Sequence, residues 1–141
     1  MTEQLHLTNY ETLTQVSKLH RQWQRLDERA KVLKSRAEYP SGSGESIGSH
    51  PATSDNRIEI LFAQVAEAER EAREAQGKYN AARADALRVI DTLDDLNQAM
   101  VLRLRYIDEM SLIEISKILH YHERTVYKIK NKALKKLKVG R

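Results

Sequence analysis

Between Asn9 and Glu38 apolar residues return every three or four positions, with Val16, Trp23, Ala30 and Ala37 on one line and Leu19, Leu26 and Leu33 on the next. That spacing predicts an amphipathic helix, and neither proline nor glycine interrupts it. A second, longer stripe follows after Asn56: Ile58, Leu61, Val65, Ala68, Ala72, Ala75, Tyr79, Ala82, Ala86, Val89, Leu93, Leu96 and Met100, in strict alternation of three and four. A 3.5-residue repeat held this far predicts a coiled coil. Alanine at so many seam positions predicts close helix approach with little apolar area buried per residue. Gly77 lies inside the pattern and weakens it by up to about 1 kcal/mol relative to alanine. An interruption is expected between Thr92 and Asp95, where Asp94 or Asp95 is placed to cap a new helix.

Between the two stripes the composition changes to proline, glycine and serine. Such a segment cannot bury enough apolar area to offset ordering its backbone, which predicts a flexible linker over 39–56 and a helix resuming at Asn56, with Glu59 placed for a capping box. Gly42-Ser43-Gly44 is followed by no Lys-Ser/Thr signature at P-loop spacing, so no phosphate loop is read there. The simplest arrangement is an antiparallel hairpin. At 1.5 Å per residue the first helix would be about 45 Å long and the second, to Leu93, about 55 Å. With the linker ends aligned, the stretch beyond Ala86 is left without a partner in the hairpin. Val89, Ile90, Leu93 and Leu96 would then need cover from the helix-turn-helix, from Leu5 and Leu7, or from a second subunit.

From Met100 to Leu137 the apolar spacing is again helical but is broken twice. One short helix carries Leu102, Leu104, Tyr106 and Ile107 and stops near Asp108-Glu109. Ser111 opens the next, with Glu114 three residues on in a capping box, and Ile115, Ile118 and Leu119 form its apolar stripe. His120-Tyr121-His122 is too short for a loop of its own, so the third helix must start almost at once and cross the second steeply. On that helix Val126, Ile129, Ala133 and Leu137 share one side, and Arg124, Lys128, Asn131 and Lys135 the opposite one. The pattern predicts a helix-turn-helix.

Charge sharpens this reading. From His122 onward there are eight basic residues against the single acid Glu123, a net +7, while the whole chain is only +4 and everything before His122 is therefore −3. The positive charge is local, as phosphate binding requires. The absence of cysteine excludes disulfides and thiolate zinc sites. The histidines are scattered, and His120 and His122 do not have the spacing of a helix-borne metal pair, so neither a metal nor a cofactor is expected. Asp94-Asp95 and Asp108-Glu109 sit at helix boundaries, where capping and the helix dipole account for them. No serine or threonine has an evident base partner, and no enzyme is expected. The opening residues lack a basic and an apolar region of a signal peptide, and no run is long enough to span a membrane; a soluble, cytoplasmic protein without membrane contact is expected.

Val101-Leu102-Arg103-Leu104-Arg105-Tyr106-Ile107, Met110-Ser111, Glu114-Ile115, Arg124-Thr125-Val126 and Lys132-Ala133-Leu134-Lys135-Lys136-Leu137 together resemble region 4 of sigma-70-type transcription factors. The resemblance covers the last third of the chain and is similar to that of small phage-encoded sigma-like activators of late genes. Two positions depart from the pattern, His120 where glycine is usual and Ser116 where alanine is usual. The resemblance implies a helix-turn-helix that reads a promoter element and touches RNA polymerase. Carried over by position, it places base reading on Glu123, Arg124 and Lys128. Backbone contact would fall to Thr125, Tyr127, Asn131, Lys132, Lys135 and Lys136.

The expected architecture is all-α, a hairpin over 1–93 followed by a helix-turn-helix unit over 94–141. The expected function is a sequence-specific regulator that binds double-stranded DNA, a phage or prophage sigma-like activator acting with bacterial RNA polymerase in the host cytoplasm, with a homodimer as one arrangement of the arm. Nothing in the chain resembles the polymerase-clamping or promoter-melting regions of a full sigma factor, so it should not open promoters alone. The alternative is an assembly protein such as a DNA-packaging adaptor, oligomerised by its coiled coil; a ring of many subunits in light scattering would favour it.

Overall fold

The computed structural model describes residues 7–38 and 51–140, with side chains over 7–38 and 56–138. Among these residues the protein is all-α. Helix α1 spans Asn9–Glu38, α2 Pro51–Ile90, α3 Leu96–Leu102 with a π-helical continuation over Arg103–Ile107, α4 Leu112–Leu119 and α5 Glu123–Gly140. Most of the expected linker, up to residue 50, lies outside the described residues. Its last part is helix: α2 begins at Pro51 rather than at Asn56. Proline is well placed at a first helical turn, where its missing N–H has no partner to lose and its fixed φ already suits a helix. Two compact units emerge, His20–Lys78 and a second made of Met1–Leu19 together with Tyr79–Arg141.

In the unit His20–Lys78, segments of α1 and α2 pack as an antiparallel hairpin. Ala30, Val65, Ala68, Ala72 and Ala75 are buried, and Trp23, Leu26, Leu33, Ala37 and Leu61 are half-buried, so the seam of each helix faces inward here. Small residues at the contact let the two helices approach closely, at the cost of burying little area each. Arg29 reaches Glu71 across the pair at 3.5 Å. Along the outside, Arg70 bonds Glu67 and Glu74, one turn away on either side. The hydrogen bond from Arg70, together with its charge, holds the Glu67 carboxyl below the usual carboxylate range. Fully exposed pairs of this kind stabilise little. Ile58, expected in the seam, is exposed along with every residue from 56 to 60.

The second unit has two cores that share α3. Val101 and Leu104 join Ile115 of α4 and Val126 of α5, with Met110, Leu112, Leu119, Tyr121 and Ile129 around them. Leu102 and Ile107 join Ala133 and Leu137 of α5 together with Leu13 and Val16 of α1, Ala86 and Ile90 of α2, and Leu93. The π turn makes this division possible. In a regular helix residues three apart share a face, but the wider turn, closed by the Asp108 amide on the Arg103 carbonyl at 3.1 Å, lets Leu104 and Ile107 feed different cores.

This arrangement corrects two expectations. The end of α2 beyond Ala86 is not left without a helix partner, because Leu13 and Val16 near the start of α1 pack in the same core. Leu96 and Met100 are not seam residues: the chain leaves the helix after Ile90, restarts at Leu96, and the new register turns both outward, Leu96 being 83% exposed. Of the covers expected, the helix-turn-helix unit supplies its share through α3 and α5, joined by α1; Leu7 is exposed and Leu5 lies outside the described residues. Among the described residues no helix is long and apolar enough to cross a membrane.

Candidate nucleic-acid interface

Three caps place the helices that carry the interface. Asp95, in extended backbone, accepts from the amides of Asn97 at 2.8 Å and Gln98 at 3.1 Å and so opens α3. Ser111 and Glu114 form the expected capping box: the Ser111 hydroxyl accepts from the Glu114 amide at 3.1 Å, and the Glu114 carboxylate from the Ser111 amide at 2.9 Å. Two amide groups at the start of α4 are thereby satisfied, which fixes where that helix begins.

The turn between α4 and α5 depends on His120. Its backbone is left-handed, with φ 61° and ψ 40°, and its amide bonds back to the Ser116 carbonyl. This is the conformation a glycine usually supplies at a helix end, adopted here by a residue with a side chain. The helix stops, and two residues later α5 starts. Its cap is one that sequence reading missed: Nδ1 of His122 accepts from the Arg124 amide at 3.0 Å, while the His122 carbonyl accepts from the amides of Thr125 at 2.9 Å and Val126 at 3.1 Å. Ile118 departs from its expected place in the α4 stripe, being 49% exposed; Ile115 alone on this helix is fully buried and anchors it.

On α5, Val126, Ala133 and Leu137 are buried and Ile129 is half-buried. Glu123, Arg124, Thr125, Tyr127, Lys128, Asn131, Lys132, Lys135 and Lys136 are all exposed. Arg124, Lys128, Asn131 and Lys135 run along the line opposite the buried side, the geometry of a helix docked by one face and open on the other. Lys130 lies over the Tyr127 ring, 5.3 Å from its centre, and so stiffens the flank of that face. At the far end Asn9 Nδ2 donates to the Leu137 carbonyl at 2.9 Å, tying the first turn of α1 to the last turns of α5. Nothing in the local sequence announces a bond between positions so far apart.

A short helix capped by Ser111, a tight left-handed turn and a second helix with a basic open face define a helix-turn-helix of the DNA-binding class. Residues 89–139, a little over a third of the chain, match the family model Sigma-70, region 4. This segment is a sigma-70 region 4 helix-turn-helix. Neither the curated proteins nor the solved structures give a match to the chain.

Proposed function

We propose that the protein is a sequence-specific transcription regulator, a sigma-like activator of phage or prophage type that works with bacterial RNA polymerase in the host cytoplasm. In this reading 94–141 reads DNA and the helical arm over 1–93 serves as an interaction or dimer spacer. The observation that carries it is the open face of α5, where the cations gather opposite the side buried on the rest of the unit. The start of a recognition helix reaches base edges and later turns follow the backbone. Arg124 would present two donors to guanine, Glu123 would accept from cytosine, and Lys128 would reach the next base. Thr125, Tyr127, Asn131, Lys132, Lys135 and Lys136 would meet phosphates, adding affinity without sequence information.

The test is a selection from random duplexes, with and without RNA polymerase, followed by two substitutions. Arg124→Ala is expected to cost about 1 to 3 kcal/mol on the selected site and to relax its sequence preference. Lys135→Ala is expected to weaken all duplexes alike and to reduce the slope of affinity against salt by about one unit. Equal weakening of random and selected duplexes by Arg124→Ala, with preference unchanged, would make α5 only a charged anchor.

A further inference from the structure

The start of α5 carries an inference that rests on the DNA-binding reading above. We infer that His122 is a further DNA-contacting residue, which presents its Nε2–H as one fixed donor to an acceptor atom of the duplex beside the position of Arg124. A neutral imidazole has one N–H and one lone pair. The lone pair at Nδ1 is engaged by the Arg124 amide at 3.0 Å, so the proton sits on Nε2. The same residue's carbonyl holds the amides of Thr125 and Val126. Both ends of His122 are therefore bound into the first turn, and its ring cannot turn away without giving up the cap. His122 is exposed, and Nε2 is the ring nitrogen that the cap does not use.

Capping by itself does not call for this side chain. Serine, threonine, aspartate and asparagine are the preferred caps, and each satisfies the amide with an atom close to the backbone. Histidine performs the same task and adds a second polar atom farther out, at the end of the helix that enters a groove. That atom is a donor, and the surface a recognition helix meets is lined with acceptors: phosphate oxygens, guanine N7 and O6, and thymine O4. The shared chemistry is a single hydrogen bond from a neutral donor.

His122→Asn in the full chain separates the two tasks, since asparagine retains a capping oxygen while its own amide donors lie nearer the backbone than Nε2 does. The probe is the duplex selected by the unsubstituted protein, together with its single-base-pair variants, each measured at two salt concentrations. We expect an unfolding midpoint near that of the parent protein and binding to the selected duplex weakened about five- to tenfold. The salt slope should stay the same, because a neutral donor releases no counterions. A loss confined to one base-pair position assigns the bond to a base edge; a uniform loss assigns it to phosphate. If His122→Asn disturbs folding, His122→Ser supplies the alternative cap and the same readout. Unaltered affinity and preference in the cap-retaining variant would overturn the inference while leaving the DNA-binding reading intact. If the parent protein selects no sequence and binds no duplex, the reading itself falls.

Discussion

His120 shows how a single residue can bear the cost of a tight turn. Its left-handed backbone, φ 61°, closes α4 and frees the chain to start α5. Such a conformation costs a residue with a side chain about 1 to 2 kcal/mol. Glycine would remove that cost but lose about 0.5 to 1 kcal/mol through its freer unfolded chain. His120→Gly is therefore expected to raise stability by up to about 1.5 kcal/mol in urea unfolding. Tyr106 offers a second test at this scale. It is half-buried, with its ring edge-on to Tyr10 at a centroid separation of 6.4 Å. Burial pushes its hydroxyl pKa up, the Tyr10 hydroxyl adds to this, and the Arg105 charge opposes it. The folded state thus holds the proton more tightly than the unfolded chain. The stability this contributes is complete below the ordinary tyrosine value of about 10 and is lost as pH rises through the raised folded value. Tyr106→Phe should keep the ring packing and flatten the alkaline end of the stability profile, with tyrosinate absorbance reporting one late-titrating phenol fewer. Of the local bonds, the Ser111–Glu114 box was legible because it has a fixed spacing. The His122 cap was not, since an imidazole acceptor at a helix start has no such signature.

For the helices themselves, the periodic pattern carried most of the information and failed where the period was interrupted. Trp23, Leu26, Ala30, Leu33 and Ala37 on α1, and Leu61 through Ala75 on α2, face inward as their spacing predicts. Past Ile90 a heptad drawn straight through the break assigns Leu96 and Met100 to a seam that no longer exists. The π turn over Arg103–Ile107 was equally hidden, because its apolar residues fit an ordinary helix until two separate cores must be filled. The close approach of the hairpin helices can be tested at Ala68, which is 1% exposed. Leucine there would have to push the helices apart or leave its rotamer, and Ala68→Leu is expected to destabilise by about 1 to 3 kcal/mol. Gln76→Leu, at an exposed position of the same helix, is the control. A neutral Ala68→Leu in thermal unfolding would mean that the seam has room to spare.

Over the whole molecule, the division of roles proposed at residue 93 is not the division made by packing. The sequence signals the helix-turn-helix by caps and charge, all of them local. Whether that segment can stand alone depends on which distant residues cover it, and no spacing rule conveys that. The compact unit that contains α5 also takes in the chain up to Leu19 and from Tyr79 onward. Leu13, Val16, Ala86, Ile90 and Leu93 complete the core that holds Leu102, Ile107, Ala133 and Leu137. A fragment of 94–141 retains every residue proposed to touch DNA and loses the first five of these core residues. Chains this short already struggle to bury enough surface to fold. The fragment is therefore expected to be largely unfolded by circular dichroism and to bind DNA weakly and without preference, although no DNA-facing residue has been altered. Leu13→Ala in the full chain makes the same point with one substitution. Leu13 is fully buried, so its truncation should destabilise the unit by about 2 to 5 kcal/mol. Specific DNA binding should fail at a lower temperature as the unit unfolds, while binding well below the new midpoint stays close to that of the parent protein. A cooperatively folded 94–141 fragment with parental sequence preference would show instead that the ends of α1 and α2 are dispensable to the DNA-binding unit.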